Sequence, residues 1–492
     1  MSTLMPIQRP LTLIALALLL SGCALGPDYQ RPQQSIPVQF RQSEGWTLAN
    51  PSENLERGRW WSLYGDAQLD ALVERLNLSN QNLAAAEAQY RQARALARGA
   101  RAALYPNLST SVGVSRGAQG GGQSATSLGS VGTGSAVSNS YQLGLNAAWE
   151  LDIWGKLRRS LEASEATYQA SAAELAALRL SQQAELVQNY LQLRVLDDQQ
   201  RLLDATVAAY ARSLKLTENQ YRAGIVAKSD VSQALTQLRS TQAQAIDLHW
   251  QRDQLEHAIA VLVGVPPSEL RIAARPGLPT LPQIPLALPS QLLERRPDVA
   301  AAERRVIAAN AEIGVAQAAW YPDLTLSASG GYRSSSFANW ISLPNRFWSL
   351  GPELALSLFD AGARRAELER SEAAYDQTVA EYRQAVLASF REVEDNLVQL
   401  RVLEQEAGIQ QQALDAARES LRLIENQYKA GTVDFNSVVN VQTTALDSER
   451  SSLTLLGNRL NASVQLIAAL GGGWQLQPAS KEDDARASVD PQ

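Results

Sequence analysis

Residues 213–224 read SLKLTENQYRAG, and residues 420–431 read SLRLIENQYKAG. Nine of these twelve positions are identical, although the two stretches lie 207 residues apart. Other landmarks recur in the same order, since the Tyr-Pro pair at residues 105–106 returns at residues 321–322. The chain is therefore a tandem duplication, and its two halves are expected to share one structural plan.

Each half contains a long stretch that is almost free of glycine and proline. Residues 156–223 contain neither, and residues 363–430 contain only Gly408. Their Ala, Leu, Gln, Glu and Arg content favours helix, and a helix of this length is roughly 100 Å long at ~1.5 Å per residue. Because a globular domain cannot contain such helices, the sequence predicts an elongated helical bundle.

Shorter helical stretches flank the long ones, at residues 66–104, 225–263, 290–320 and 432–470. Two of them laid end to end match the length of one long helix running antiparallel to them. The expected bundle therefore pairs each long helix with two shorter ones.

The positions of glycine and proline also divide the chain into segments. Residues 66–263 form the first predicted repeat and residues 290–470 the second, with the proline-rich linker 264–289 between them. We expect this linker at mid-height of the bundle. The N-terminal segment 23–65 and the tail 471–492 would join it there as a mixed belt.

Four segments between the helices alternate apolar and polar residues with a period of two, which is typical of half-buried strands. They lie at residues 106–116, 141–151, 321–333 and 348–358. Eleven residues tilted by ~40° rise close to the ~25 Å apolar band of an outer-membrane barrel. Half of the ten tryptophans lie in or beside these segments, as an aromatic girdle requires: Trp149, Trp154, Trp320, Trp340 and Trp348. A soluble antiparallel sheet packed on one face is the alternative.

A bilayer allows no open sheet edge, because lipid leaves the edge amides and carbonyls without hydrogen-bond partners. A closed membrane barrel needs at least eight strands. One chain offers four, so the barrel must be shared between at least two chains. The stretches 117–139 and 334–346 would be its outer turns.

The N-terminus indicates export and lipidation. Arg9, the apolar stretch 11–20 and small residues before Cys23 are typical of a signal peptide covering residues 1–22. The sequence before Cys23 also resembles a bacterial lipobox, which predicts an N-acyl and S-diacylglycerol lipid on this cysteine. Ala24 beside it favours the outer membrane. The alternative is an ordinary signal peptide with a chance cysteine.

Composition excludes several classes of protein. The chain has a formal charge of −6 and no apolar run of eighteen residues, so neither a polytopic helical transporter nor a nucleic-acid-binding protein is expected. We find no phosphate-binding, dinucleotide, nucleophile-elbow or Cys-x-x-Cys motif. The two histidines, His249 and His257, stand eight residues apart and are expected to be solvated. The sequence therefore predicts no enzyme, metal site or cofactor.

Several motifs resemble one known family, the outer membrane factors. They are Gly26-Pro27-Asp28-Tyr29-Gln30-Arg31-Pro32, Trp60-Trp61, Trp149-Glu150-Leu151-Asp152-Ile153-Trp154-Gly155, Leu292-Leu293-Glu294-Arg295-Arg296-Pro297-Asp298, Phe359-Asp360-Ala361-Gly362 and Gly471-Gly472-Gly473-Trp474. With Cys23 they place the chain in the lipoprotein branch of these TolC-like efflux-pump channels. Pro297 and Asp298 also suit the first turn of a helix, which is the structural interpretation of the fourth motif.

The resemblance implies an α+β membrane protein and a homotrimer. Three chains would make one twelve-stranded β-barrel, four strands each, continuous with a twelve-helix α-barrel that crosses the periplasm. The lumen would carry cargo from an inner-membrane transporter of the RND or ABC type, through a periplasmic adaptor, to the exterior.

The family's gate implies roles at the two helical tips, which Gly224 and Gly431 mark and which would contact the adaptor. By position, Asp230 matches a gating aspartate and Tyr428 a gating tyrosine. Asn440 replaces an aspartate common in the family, and Val433 an arginine found in some members. Asp230 and Asp434 could supply an acidic ring, or they could act as helix-capping and first-turn residues.

Two classes of function fit these features. The first is a passive exit duct for drugs or other small molecules, with siderophores, metal ions or type I-like secreted proteins as alternative cargo. The second is a periplasmic coiled-coil scaffold lipoprotein, which would share the long helices but not four amphipathic strands.

Overall fold

The computed structural model describes residues 24–34, 40–41, 59–119, 136–282, 284 and 296–472. Within these residues the chain forms seven α-helices and four β-strands. The helices are α1 (Ala67–Ser79), α2 (Gln81–Ala102), α3 (Lys156–Arg222), α4 (Lys228–Leu262), α5 (Pro297–Ala318), α6 (Ala363–Lys429) and α7 (Phe435–Ala469). The strands are β1 (Asn107–Gln119), β2 (Ala136–Leu151), β3 (Asp323–Ser334) and β4 (Arg346–Ala355).

The two long helices are confirmed, since α3 and α6 each contain 67 residues. Each is preceded by an aspartate that accepts hydrogen bonds from backbone amides at the start of the helix. Asp152 accepts from the amides of Leu157 and Arg158 at 3.0 and 2.9 Å. Asp360 accepts from the amides of Gly362 and Arg364 at 3.0 and 3.2 Å. These carboxylates satisfy amides that the helix itself leaves unpaired.

The single helix predicted for residues 66–104 is wrong, because the chain breaks at Asn80 into α1 and α2. Asn80 is extended, with ψ of 125°. Its Oδ1 accepts from the Leu83 amide at 2.9 Å and caps α2, while its Nδ2 donates to the Leu262 carbonyl at 2.8 Å. The side chain thus begins one helix and satisfies the end of another, which a continuous helix could not do.

The other short helices agree with the sequence within a few residues. α4 and α7 end near the predicted residues but begin three residues after the predicted start, since each follows a tight turn. α5 begins at Pro297. Residues 290–295 of the predicted stretch lie outside the described part of the chain.

The four strands form one antiparallel sheet in the order β1-β2-β3-β4. The predicted fourth strand is corrected to Arg346–Ala355. Leu356 and Leu358 continue the apolar alternation of the sequence but lie beyond the last ladder pair, which joins Asp323 to Ala355. The predicted outer turn 117–139 is wrong at both ends, because residues 117–119 extend β1 and residues 136–139 begin β2, while residues 120–135 lie outside the described residues. Residues 335–345 of the second predicted turn join β3 to β4.

The chain divides into two compact units, each built from both repeats. Among the described residues, the strand unit contains residues 24–32, Arg91–Ala170 and Glu303–Glu381, which include the whole sheet and the helix ends next to it. The helix unit contains the described residues of Gln33–Tyr90, Ser171–Ala302 and Tyr382–Gln492. The long helices α3 and α6 contribute residues to both.

The core of the helix unit lies around the middle of α3, where Tyr190 and four leucines are fully buried: Leu186, Leu191, Leu193 and Leu203. The short 3-10 helix Trp60–Tyr64 is buried, and Trp60 Nε1 donates to Gln183 Oε1 at 3.3 Å. The side chain of Arg194 is only 4% exposed and donates to the Gly277 carbonyl at 2.6 Å. The segments before α1 and after α4 therefore meet on the same part of α3.

Candidate functional site: sheet faces and helical tips

The register of the ladder assigns every strand residue to one of two faces. One face carries the even-numbered residues of β1, β3 and β4 and the odd-numbered residues of β2, as the pairs Val112 with Leu143 and Leu143 with Tyr332 show. The opposite face carries the remaining residues. These faces differ sharply in polarity.

The first face, here called the apolar face, is rich in large hydrophobic side chains, and in a single chain these are exposed to water. Seven of them are between 56% and 76% exposed: Leu108, Val112, Val114, Leu145, Trp348, Leu350 and Leu354. Soluble proteins rarely expose contiguous apolar patches larger than a few hundred Å², so this face requires a partner or a lipid environment. The alternating strands therefore form a lipid-compatible wall.

Aromatic side chains gather at both ends of this wall. At the end joined to the helices, the rings of Trp154 and Tyr321 lie 4.8 Å apart, and Trp149 Nε1 donates to the Leu104 carbonyl at 2.9 Å. At the opposite end, Tyr141 lies against Phe337 and Trp340. Aromatic residues at two levels are what a membrane barrel uses at its two interfaces.

The second face, here called the polar face, carries Ser, Thr, Asn, Gln and Gly at most positions. Near the helices it also carries carboxylates. Lys156 at the start of α3 donates to Glu150 at 3.3 Å and to Asp323 at 3.1 Å. A polar face of this composition can line an aqueous pore.

The N-terminal residues of the described chain are fixed to the strand unit. Leu25 N donates to the Trp154 carbonyl at 3.0 Å, and Arg159 Nε donates to the Leu25 carbonyl at 3.0 Å. A Cβ on Gly314 would lie 2.8 Å from the same carbonyl, so α5 needs glycine where this segment crosses it. Cys23 lies outside the described residues, directly before this anchored segment.

The two tips of the helix unit use the same turn. Gly224 and Gly431 follow α3 and α6 with φ of +78° and +73°. The amides of Ile225 and Thr432 reach back five residues, to the carbonyls of Gln220 and Gln427, at 2.9 and 3.0 Å. This is a Schellman motif, and its left-handed residue explains why both repeats keep Ala-Gly at the tip.

The two repeats begin their next helices differently. Asp434 is the N-cap of α7 and accepts from Ser437 N at 2.9 Å and Ser437 Oγ at 2.6 Å. These hydrogen bonds lower the pKa of the Asp434 carboxyl. The equivalent position in the first repeat is Ala227, which has no side-chain cap, and Asp230 lies in the first turn of α4. Both aspartates therefore occupy the structural positions that suit acids at helix starts.

Tyr428 does not bond to Asp230 within one chain. Its hydroxyl donates to Gln220 Oε1 at 2.8 Å, joining the end of α6 to the end of α3. Burial raises the pKa of Tyr428, and the nearby negative charge of Asp230 acts in the same direction. Within one chain, the two predicted gate residues therefore interact through the charge of Asp230 and not through a direct hydrogen bond.

Of the remaining predicted gate residues, Asn440 is exposed on α7 and its carbonyl accepts from Thr444 Oγ1 at 3.0 Å. Val433 is half-buried next to Asp434. The structure thus brings Asp230 and Tyr428 close to one another and leaves the Asn440 side chain facing solvent.

Sequence reasoning missed two residues that hold the tips together. Phe435 is 3% exposed, and its ring lies 5.7 Å from that of Tyr428. Gln220 receives the Tyr428 hydroxyl. The repeat offered a signal for Phe435, because the equivalent position in the first half is Lys228 and an aromatic ring is buried far more often than a lysine.

The motif at residues 295–298 has the structural role expected from Pro297 and Asp298. Arg296 donates to Asp298 Oδ2 and to Glu392 Oε2, both at 2.6 Å, and to the Ala469 carbonyl at 3.2 Å. Pro297 is the first residue of α5. Arg295 lies outside the described residues.

The described residues hold no group of three or more His, Cys, Asp or Glu that could ligate a metal ion. His249 and His257 are exposed on α4, as expected. No helix in the described ranges combines the length and the apolar character that crossing a bilayer requires.

Long paired helices with an amphipathic four-stranded sheet define a channel-forming membrane protein of the outer-membrane type. The sequence model described as "Outer membrane efflux protein" matches residues 72–265 and 288–472, which is most of the chain. The chain belongs to this family. Its function is that of an outer membrane efflux channel.

The relatives agree over nearly full length. The pyoverdine export outer membrane protein OpmQ of Pseudomonas aeruginosa is 34% identical over 473 residues, which cover 95% of this chain and 98% of OpmQ. The cation efflux system protein CusC of Escherichia coli is 29% identical over 461 residues, covering 93% and 97%. Among solved structures, the outer-membrane channel OprN matches with a TM-score of 0.84 at 31% identity, over 92% of this chain and 100% of OprN.

Proposed function

We propose that three copies of this chain close one twelve-stranded β-barrel and form the passive exit duct of a tripartite efflux pump. The observation that carries the proposal is the open sheet with an exposed apolar face, whose edge strands β1 and β4 have no further partner strand among the described residues. An edge cannot remain open in lipid, and four strands cannot close a barrel. Symmetric repetition of the chain closes the sheet and covers its edges.

The long helices complete the duct in this proposal. α3 and α6 with the shorter helices supply one third of a twelve-helix barrel, and the polar face of the sheet continues its aqueous lumen. The likeness to OprN and CusC, both solved as outer-membrane or transmembrane channels, supports this assembly.

The partners follow from the assignment as a passive duct. A channel without an energy source needs an inner-membrane transporter, of the RND or ABC type, and a periplasmic adaptor that docks on the tips at Gly224 and Gly431. We propose no enzymatic activity, cofactor or nucleic-acid partner for the duct. The gate residues Asp230, Tyr428, Asp434 and Asn440 would close its mouth.

We further propose that Cys23 carries an N-acyl and S-diacylglycerol lipid, which anchors the protein in the outer membrane alongside the barrel. The support is the position of Leu25, whose amide bonds to the Trp154 carbonyl just beyond the end of β2. A lipid attached two residues earlier would start beside the aromatic residues at the helix end of the sheet.

For cargo we propose drugs or other small organic molecules. Relatives are named for pyoverdine export, cation efflux and antibiotic efflux, so siderophores and metal ions are the alternatives. Soft metal ions such as Cu(I) prefer Cys and Met ligands. The chain has one Cys and two Met, and all three lie within residues 1–23. This composition favours organic cargo over soft metals.

The test is the oligomeric state together with conductance. Native mass spectrometry of the protein in mild detergent should show three chains, and the trimer should conduct ions in planar bilayers when its tips are opened. A monodisperse monomer in detergent, or a protein extracted from cells without detergent, would contradict the duct. Either result would instead favour the periplasmic scaffold lipoprotein.

A further inference from the structure

The polar face carries one guanidinium, at the end of the sheet away from the helices. Arg333 pairs with Gln142 in the β2–β3 ladder, two residues before the loop that joins β3 to β4. Among the described strand residues, the other charged positions of this face are Glu150, Asp323 and Glu353, all near the helix end. Opposite charges thus occupy opposite ends of one face.

Two glycines make room for Phe347, the aromatic ring that Arg333 contacts. Gly144 and Gly331 are ladder partners on the polar face, and the Phe347 ring lies 3.8 Å from where a Cβ on Gly144 would stand. A Cβ on Gly331 would lie 2.0 Å from the Leu143 carbonyl, so this position does not accept a side chain. The bare backbone leaves room for the Phe347 ring beside it, and aromatic rings are known to support glycine in sheets.

Arg333 is held above this ring by two contacts. Its guanidinium carbon lies 5.2 Å from the centroid of Phe347, and its NH2 group donates to Gln142 Oε1 at 3.1 Å. The Phe347 ring occupies one face of the guanidinium, and the hydrogen bond to Gln142 occupies one of its N–H groups. The side chain is exposed, so its remaining N–H groups are presented to the space in front of the polar face.

Resting on the proposed function, we propose that Arg333 sets the anion preference of the duct's outer mouth and binds the carboxylate or phosphate groups of molecules that leave through it. Rings of Arg or Lys select anions in pores, and a guanidinium matches a carboxylate or phosphate through two parallel hydrogen bonds. In the trimer, three copies of Arg333 surround the mouth. Phe347 and Gln142 are the positioning residues that hold the guanidinium in place.

The neighbouring strand provides a matched control. Arg346 pairs with Tyr332 and therefore lies on the apolar face, one position along the strand from Phe347. It has the same charge at nearly the same height, but it faces away from the lumen. Glu353 tests the effect of removing a negative charge, because it is a carboxylate on the polar face at the other end of β4.

The experiment measures the chloride-to-potassium permeability ratio from the reversal potential of trimers in a KCl gradient. It compares the unmodified chain with R333Q, R333K, R346Q and E353Q. All five proteins also carry Y428F and D230A, so that a narrow mouth at the helical tips does not determine the measured permeability ratio. R333Q should lower the ratio about two- to fivefold, the effect of one unit charge at contact distance in water. R333K and R346Q should leave the ratio nearly unchanged, and E353Q should raise it.

Two results would overturn the proposal. One is an unchanged ratio in conducting R333Q trimers, and the other is an equal fall in R346Q, which would show a general effect of net charge. Failure of the proposed function looks different, since no variant would then form trimers or conduct. If R333Q merely disturbed folding, it would lower the amount of trimer without altering the permeability ratio of the trimers that conduct.

Discussion

At the scale of single residues, the tips show how one polar contact can join two repeats. Tyr428 donates to Gln220 at 2.8 Å and packs against Phe435, while its counterpart in the first repeat, Tyr221, is 44% exposed. The duplication therefore produced two tyrosines of which one is engaged. Together with burial, the negative charge of Asp230, in the first turn of α4, raises the pKa of Tyr428.

We predict that Tyr428→Phe combined with Asp230→Ala favours an open mouth. The change removes the hydrogen bond to Gln220, worth ~1 kcal/mol, and the nearby carboxylate charge, and it does so three times in a trimer. Single-channel conductance of the reconstituted trimer should increase, and a large antibiotic should enter cells more readily.

Tyr221→Phe is the matched control for this variant and should leave conductance unchanged, because the Tyr221 side chain is exposed. Equal conductance of the double variant and the unmodified protein would contradict this role and assign closure to the other predicted gate residues, Asp434 and Asn440.

At the scale of elements, buried polar side chains decide where helices start and which segments meet. Arg194 on α3 donates to Asp66 Oδ2 at 3.2 Å, and Asp66 is itself the N-cap of α1. The same guanidinium donates to the carbonyls of Arg275 and Gly277. One side chain therefore ties a long helix to the start of a short one and to the linker after α4.

We predict that Arg194→Leu destabilises the protein by ~3–5 kcal/mol, since it removes the cation that pairs with the largely buried Asp66 carboxylate and the donor to two backbone carbonyls. Arg201→Leu on the same helix removes an exposed pair with Asp198 and should cost less than ~1 kcal/mol. Denaturant unfolding of both variants in the same detergent measures the difference. Similar losses in the two variants would refute the special role of Arg194.

A second element-scale prediction concerns the crossing of the N-terminal segment over α5. Gly314→Ala would place a Cβ 2.8 Å from the Leu25 carbonyl and 2.9 Å from Arg159 Cγ, so the segment must move away from the helix. Residues 24–31 should then become accessible to proteases.

Gly99→Ala in α2 serves as the control for Gly314→Ala, since nothing lies within 4 Å of the new methyl group. It should stabilise its helix by up to ~1 kcal/mol and leave the N-terminal segment protected. If proteolysis of the Gly314 variant matches that of the unmodified chain, the close crossing does not hold the segment.

At the scale of the whole molecule, the sheet and the lipid proposed for Cys23 would be two independent means of membrane attachment. The apolar face exposes large hydrophobic side chains on β1, β2 and β4, so the barrel would insert through its own surface. A lipid on Cys23 would add a second anchor. The two can be separated because Cys23 precedes the strands along the chain and belongs to none of them.

We predict that Cys23→Ser abolishes acylation and leaves part of the protein in the outer membrane. Labelling with radioactive palmitate measures the first effect, and membrane fractionation measures the second. Retention should be partial, since sorting uses the lipid while insertion uses the strands. If the variant were recovered wholly as soluble periplasmic protein, the assignment of the apolar face to lipid would be wrong.

The sequence by itself determined the repeat, the two long helices and the four strands, because each depends on a local period or on the absence of glycine and proline. It also placed Gly224 and Gly431 at turns, since a left-handed residue after a helix strongly favours glycine. Asp434 could be expected at a helix start for the same local reason.

Only the tertiary structure decided the features that depend on distant partners. The break at Asn80 follows from a carbonyl at Leu262, 182 residues away along the chain. The partner of Tyr428 is Gln220, because the ends of α3 and α6 lie side by side. Arg333 and Arg346 have the same charge and lie near the two ends of one loop, yet the ladder register assigns them to opposite faces of the sheet. Register is set by pairing between strands, and no single strand carries that information.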